Sequence, residues 1–422
     1  MTELKRTLGW QHAAAITIGS VLGSGVLILP ALTAEVAGPL AIVAWAFLSV
    51  LSIPIALTFS RLSTRIPHAG GILAYVAQAF GPALSQAMGW MFIVMYPIGV
   101  PIVAIIGADY VGSVVGLSLW PRLALAAAIL LISVLLNIRG VQLAGAVQLV
   151  LAGLIAVVLV VAIVAAAPHM HASAFIPFAP HGWHVIGTAS VLIFWCFVGW
   201  EAATNLSEEY RNPERDLALG LIVAVCIVTV LYLALAIVTV GTRAYTGHMG
   251  LAPLSELVAR GFGPAFSSLT AVLALLITFG TVHTNTASFS RMIYAQARDG
   301  HFPRILARLH KRYQTPVSSL LLMGILSLVA LCLAGAMRLQ LQPFVTVVSV
   351  ADLAVYIVSL AAALRILRDR GSRLMALSSL LPCVLVYAAS GWIMLVPAAI
   401  LTVGYALARA DQLRRLVGGE NR

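Results

Sequence analysis

Long apolar runs, separated by short polar stretches, cover nearly the whole chain. A helix needs about 20 apolar residues to cross the hydrocarbon core of a bilayer. The pattern therefore predicts an all-α membrane protein, a single transmembrane domain over residues 1–422, with no separate soluble domain. Its twelve predicted spans are 13–34, 39–60, 84–115, 121–138, 142–167, 184–207, 217–240, 265–290, 316–336, 343–366, 373–389 and 391–409.

The basic residues are distributed unequally between the predicted loops. Alternate loops place 21 of the 25 Lys and Arg residues on the side that holds both termini, and four on the other side. Cytoplasmic loops of membrane proteins carry such an excess. Both termini are therefore predicted to be cytoplasmic. The four basic residues of the opposite side are Arg122, Arg243, Arg260 and Arg338.

Composition supports a lipid environment for most of the chain. It is 61% hydrophobic and 9% charged, with a mean hydropathy of +1.02, whereas soluble chains carry about 25% charged residues. The net charge of +11 does not indicate nucleic acid, because the basic residues lie between apolar runs and follow the topology. The four cysteines lie inside apolar runs, and neither a metal site nor a cofactor is predicted.

The first and sixth spans contain segments that are poor helix formers. Segment 19–26 carries Gly19, Gly23 and Gly25, and Pro30 follows it; segment 194–201 contains Gly199 and ends in an acid. Glycine costs about 1 kcal/mol in a helix interior, and irregular backbone at membrane depth is tolerated where it lines a cavity or is buried in protein. We predict that both helices are broken. The alternative is that the glycines only allow close helix packing.

The two predicted breaks are five helices apart, so the second unit has the inverted topology. This pattern is typical of transporters built from inverted repeats. The first repeat would cover 13–167 and the second 184–366, with two extra helices over 373–409. A half-helix that begins near Ser24 directs free N–H groups at the cavity, which suits a carboxylate. Unwound carbonyl groups suit an ammonium group, and a zwitterionic amino acid presents both.

The sequence around these breaks resembles the amino acid–polyamine–organocation (APC) superfamily. The matching motifs occur in family order over about residues 10–320. They comprise segment 19–26 with Pro30, segment 37–39 with Trp45, segment 67–71 with Tyr75, segments 197–201 and 208–215, and segment 298–303. The length of the chain and the residues of segment 195–201 are most similar to those of small exporters of methionine and branched-chain amino acids.

The resemblance implies a LeuT-type fold of ten core helices plus two, and a substrate site at the breaks. The amides of Ser24 and Gly25 would hold the substrate carboxylate, and the carbonyls of Val21, Trp195 and Val198 its ammonium group. Trp195 and Tyr96 stand where the family places aromatic gates. The other residues of the implied site are Gly23, Cys196, Gly199 and Asn285. Asn285 aligns with a tryptophan of arginine-handling members, which argues against a cationic substrate.

Glu201 is the strongest candidate for a coupling or gating group. A carboxylate at the bilayer centre costs roughly 2.5–3.5 kcal/mol or more and is usually functional. The alternative role is a neutral acid that hydrogen-bonds the broken helix. Asp352 in the tenth span is a weaker candidate for the same coupling role. Thr281, His283, Thr284 and Asn285 form a polar cluster in span eight that fits either a packing network or a ligand site.

These features predict a secondary transporter for neutral apolar L-amino acids (methionine, leucine, isoleucine and valine) in a bacterial inner membrane. Its partners would be the amino acid, protons as the coupling ion, and the lipid bilayer. Proton-coupled export is the preferred direction. An importer or exchanger on the same fold, sodium coupling and a channel remain open, as does the oligomeric state. An enzyme is not predicted, because the sequence shows no convergent catalytic motif.

Overall fold

The computed structural model describes residues 8–66, 71–140, 142–201, 203, 210–245, 252–263, 265–298, 300–338 and 341–419. Within these ranges the chain forms α-helices joined by turns and short 3₁₀ helices. The α-helices are α1 (Trp10–Val21), α2 (Gly25–Ala37), α3 (Ala41–Arg65), α4 (Gly71–Phe80), α5 (Pro82–Val115), α6 (Leu119–Arg139), α7 (Gln142–Ala166), α8 (Val185–Phe194), α9 (Pro213–Gly241), α10 (Pro253–Phe262), α11 (Ala265–Arg298), α12 (Val317–Ala336), α13 (Leu341–Ile366), α14 (Arg370–Ala388) and α15 (Leu395–Gly419).

Ten helical segments of the described chain are long and apolar enough to cross a membrane. Nine of them coincide with predicted spans three to five and seven to twelve. The tenth, Gly25–Arg65, combines the second half of span one with span two. Span six corresponds to a shorter apolar segment, Val185–Phe197. The chain is therefore a multi-pass helical membrane protein, and the count of twelve crossings stays a prediction.

Two helices lie outside the predicted spans. Helix α4 precedes α5, and α10 lies between predicted spans seven and eight. Each has ten residues, about 15 Å at 1.5 Å per residue, which is too short to cross the hydrocarbon core. Helix α10 packs against α7 and α11. Its Leu254 amide donates to the Tyr110 hydroxyl (3.1 Å), which donates to the Leu27 carbonyl of α2 (2.7 Å).

Helix α5 is longer than a bilayer requires. Its 34 residues extend about 51 Å at 1.5 Å per residue, in agreement with the length of predicted span 84–115. The helix begins after Gly81, whose φ of 90° favours glycine, and it contains Pro97 and Pro101. It packs along α11, α15 and α6, so most of its inner surface is buried.

Trp45 of α3 is fully buried at the centre of the helices that surround the two breaks. Its indole nitrogen donates to the Thr33 hydroxyl of α2 (3.1 Å). Its ring lies 5.1 Å from that of Tyr232 on α9 and 6.1 Å from that of Phe197. Because aromatic pairs and a satisfied polar group stabilise a buried contact, these residues hold α2, α3 and α9 around the sixth-span break.

The start of α9 has the sequence signals of a helix N-terminus. The Asn212 side chain accepts from the Arg215 amide (3.4 Å), Pro213 occupies the first turn, and Glu214 and Asp216 are acidic residues of that turn. Glu208 and Glu209 of the family motif 208–215 lie outside the described residues, as do positions 67–70 and Asp299 of the other family motifs.

Candidate functional site

The first break separates α1 from α2 over three residues. Helix α1 ends at Val21 and α2 begins at Gly25, so the amides of the first turn of α2 have no partner within that helix. The Gly23 amide donates back to the Val21 carbonyl (2.7 Å). Ser24 is 1% exposed, and its hydroxyl finds no hydrogen-bond partner within the described part of the chain. This break therefore presents donors that are not used by the fold.

The second break follows α8. A single 3₁₀ turn covers Trp195–Phe197, and Val198 then becomes extended. Gly199 has a φ of 120°, in the left-handed region that favours glycine. Because the chain leaves the helix here, the carbonyl groups at the end of the turn are not part of a regular helical hydrogen-bond pattern. Breaks predicted in both the first and the sixth span are thus present in the structure.

The two breaks lie directly against each other. A Cβ atom on Gly25 would lie 2.7 Å from both Cys196 Sγ and Trp195 Cδ1. A Cβ atom on Gly199 would lie 2.6 Å from Ser20 Oγ. No larger residue fits at either glycine without a shift of the neighbouring chain. The structure therefore brings together predicted site residues from both spans.

Tyr232 of α9 connects the two breaks. Its hydroxyl hydrogen-bonds the Val21 carbonyl (2.7 Å) and also lies 3.1 Å from the Cys196 carbonyl. The Val21 oxygen already accepts from Gly23, so both of its lone pairs are used. The Val21 carbonyl thus has no free lone pair for the ammonium group, and the roles of the Trp195 and Val198 carbonyls stay predictions.

Glu201 is anchored at the second break by backbone and by α13. The Gly199 amide donates to Glu201 Oε2 (3.2 Å) and to the Tyr356 hydroxyl (3.1 Å). Tyr356 in turn donates to Glu201 Oε2 (2.5 Å). Asp352 lies one helical turn before Tyr356 on α13, so both residues share one face of that helix. Tyr356 therefore contacts one predicted coupling acid, Glu201, and lies one turn from the other.

Tyr96 lies on α5, next to the predicted gate on the sixth span. Its hydroxyl is 2.7 Å from the Thr286 hydroxyl of α11, and its ring is edge-on to Phe289 at 5.0 Å. Trp195 is half-buried and packs against the same apolar cluster. A Cβ atom on Gly99, close to Tyr96 on α5, would lie 3.7 Å from the Trp195 ring. The two aromatic gate candidates therefore share one wall.

The polar cluster of α11 divides into two parts. Thr281 faces the first break, since a Cβ atom on Gly23 would lie 3.6 Å from its side chain. Asn285 is half-buried one turn further along that face, and its contact with substrate stays a prediction. His283 belongs to a helix-packing network instead, because its ring nitrogen lies 3.0 Å from Asn137 of α6.

Sequence reasoning missed Tyr232 and Tyr356. Both are tyrosines in otherwise apolar spans, where an aromatic residue usually fills space. The spacing of Asp352 and Tyr356, four residues apart, was a usable signal, because it places both on one helix face. Nothing in the sequence around Tyr232 indicates that its hydroxyl contacts two separate breaks.

The comparisons with known proteins extend over almost the whole chain. The family model described as amino acid permease matches residues 8–408. The uncharacterized amino acid permease YecA of Bacillus subtilis is 41% identical over 96% of this chain and 96% of the relative. The L-methionine/branched-chain amino acid exporter YjeH of Escherichia coli is 32% identical over 93% of each chain.

A more distant relative is the branched-chain amino acid permease BcaP of Bacillus subtilis, which is 24% identical over 77% of this chain and 74% of the relative. The family match spans both breaks and all of the residues assembled around them. With its many apolar helices and its paired helix breaks, this chain belongs to the amino acid permease family of the APC superfamily.

Proposed function

We propose that this protein exports neutral apolar L-amino acids, such as methionine, leucine, isoleucine and valine, across a bacterial inner membrane in exchange for protons. The observation that carries the proposal is the contact of the two breaks. Gly25, the first residue of α2, lies against the side chains of Trp195 and Cys196, and the adjacent Ser24 hydroxyl is buried without a hydrogen-bond partner among the described residues. The name of the relative YjeH supports the substrate class and the direction.

In the proposed fold the chain crosses the membrane twelve times as two inverted repeats of five helices and two extra helices, with both termini in the cytoplasm. The single transmembrane domain extends over the whole chain. Alternating access would then move the first and sixth spans against the rest, and the substrate would bind at their breaks.

The two ends of a zwitterion would meet different backbone groups. The first-turn amides of α2 and the Ser24 hydroxyl would bind the carboxylate, helped by the positive end of the helix dipole. The carbonyls of Trp195 and Val198 would bind the ammonium group. Ile18, Leu22, Cys196 and Phe197 offer apolar surface to the side chain, which favours an uncharged substrate.

The coupling proton would be carried at the second break. Glu201 contacts the Gly199 amide directly, so a change in its charge alters the hydrogen bonds of the break itself. Burial disfavours the charged form of a carboxyl group, and access to water differs between the two open states of a transporter. Asp352, one turn from Tyr356 on the same face of α13, would share this role.

Inside-out membrane vesicles test the proposal. Labelled methionine and leucine should accumulate when a proton gradient is imposed, and excess isoleucine should compete. A Glu201→Gln variant should lose the dependence on the gradient. Accumulation without any effect of the gradient would contradict the coupling.

Three other outcomes separate the alternatives. Uptake in right-side-out vesicles but not in inside-out vesicles would be consistent with the proposed site and would show that the protein imports its substrate. Flux that does not saturate and shows no counterflow would indicate a channel. A sodium gradient that replaces the proton gradient would assign the coupling to a different ion.

A further inference from the structure

A cavity of about 550 Å³ lies apart from the two breaks, between α5, α6, α12 and α13. Four residues at intervals of four line it on one face of α5: Pro97, Pro101, Ile105 and Asp109. Its other walls include Ala330 and Ala334 of α12 and Phe344 of α13. We call this cavity the α5 groove. Its walls are apolar except at the end that holds Asp109.

The polar end of the groove carries more positive than negative charge. Arg122 Nη1 pairs with Asp109 Oδ1 at 2.7 Å, and the two side chains are 18% and 12% exposed. Arg338 lines the same end and is exposed. The Nε atom of Arg122 is buried and meets no hydrogen-bond acceptor among the described residues. A buried donor without a partner is unfavourable, so this end of the groove suits an added anionic oxygen.

The length of the groove matches one leaflet of a bilayer. Twelve residues of α5 separate Pro97 from Asp109, about 18 Å at 1.5 Å per residue, and half of a hydrocarbon core is about 15 Å. Trp120 lines the polar end and is 66% exposed. Tryptophan is enriched at membrane–water interfaces, which predicts that this end lies at the level of the lipid headgroups.

We propose that the α5 groove binds one anionic phospholipid. Its phosphate would accept from Arg122 Nε and from Arg338, while one acyl chain would lie along the apolar face of α5 and α12. Asp109 stands near the phosphate, but its charge is already balanced by Arg122. The basic-residue pattern predicts that this end is on the outer side, so the lipid would come from the outer leaflet.

The shape of the groove separates this ligand from the transported amino acid. A single methionine or leucine would leave most of the 550 Å³ empty, and the groove is elongated along one helix. A bound lipid would fix α5 relative to α12 and α13. Since α5 also carries Tyr96 and Gly99 beside Trp195, its position affects the wall of the gate.

Purified protein in detergent, titrated with phosphatidylglycerol, tests the proposal. Retained lipid is counted by native mass spectrometry, and the thermal unfolding midpoint is followed in parallel. Ala330→Trp fills the apolar part, and Arg338→Asn removes the headgroup cation at a φ of 48° that asparagine tolerates. Each should weaken binding about tenfold, as expected for the loss of a charge-assisted hydrogen bond or of the acyl site.

Two matched variants serve as controls. Ala336→Trp adds the same bulk to an exposed position of α12 that does not line the groove. Arg243→Asn removes another cation of the predicted outer side, at a φ of 52°. Both should bind lipid as the unmodified protein does. If Ala330→Trp does not fold, the exposed Arg338 decides the question by itself.

Wild-type lipid affinity in both groove variants would overturn the proposal. Glycerol phosphate that binds as tightly as the lipid would also overturn it, because the acyl chain would then contribute nothing. Neither result bears on transport by the two breaks, which the vesicle experiment tests separately.

Discussion

At Gly25 the two breaks approach so closely that one methyl group cannot be added without a shift. We expect Gly25→Ala to force Trp195 or Cys196 to move, because the new Cβ atom would lie 2.7 Å from each. Overpacking of this kind costs about 1–3 kcal/mol, which corresponds to a loss of roughly 5- to 150-fold if it falls on the transport step. Vesicle uptake of labelled methionine measures the loss.

Gly153→Ala is the matched control for this prediction. Gly153 lies in helix α7 with open space around its Cα atom, so alanine should leave transport unchanged and favour the helix by about 1 kcal/mol. Equal transport by the two variants would show that the contact at Gly25 does not limit the movement of the spans.

At Glu201 we expect the charge and the hydrogen bond to be separable. Tyr356→Phe removes the hydroxyl that donates to Glu201. It leaves the hydrogen bond from the Gly199 amide to the Glu201 carboxylate. Transport should persist with an altered pH profile, whereas Glu201→Gln should retain exchange of labelled for unlabelled substrate and lose the response to a proton gradient. Counterflow and gradient-driven uptake, measured on the same vesicles, distinguish these results.

The sequence predicted those site residues that are unusual in a membrane-spanning helix. Glycines in a span and a carboxyl group at bilayer depth are both unfavourable, and that cost identified Gly25, Gly199 and Glu201. Tyr232 and Tyr356 give no such signal, because tyrosine is compatible with a membrane span. Their function depends on which carbonyl or carboxyl group lies opposite, and the tertiary fold alone decides this.

At the scale of elements, Tyr232 holds the ends of α1 and of the turn after α8 at a fixed separation. We expect Tyr232→Phe to remove the hydrogen bond to the Val21 carbonyl and the contact with the Cys196 carbonyl, and to destabilise the protein by about 1–3 kcal/mol. Unfolding in mixed detergent micelles measures the change. Tyr405→Phe, which removes the hydroxyl of an exposed tyrosine of α15, should have almost no effect.

Nine predicted spans coincide with long apolar helices because length and hydrophobicity determine such a helix directly. The exceptions have two physical causes. Spans one and six are interrupted by the breaks. Their pieces are therefore either too short to cross the membrane or, for the second half of span one, joined to span two. Helices α4 and α10 have ten residues each. A search for apolar segments long enough to cross the bilayer does not detect helices of this length. Packing against α5 and α11, which the sequence does not reveal, stabilises them.

At the scale of the whole molecule, the charge pattern makes one prediction that the helices themselves leave open, namely which side faces the cytoplasm. Ser173 is exposed in the predicted outer loop and Lys311 is exposed in the predicted inner loop. With exposed Cys226 and Cys332 replaced by alanine, Ser173→Cys should react with a membrane-impermeant maleimide in intact cells. Lys311→Cys should react only after permeabilisation, because 21 of the 25 basic residues place its loop inside. The reverse labelling would invert the orientation and also move the proposed lipid groove to the inner leaflet.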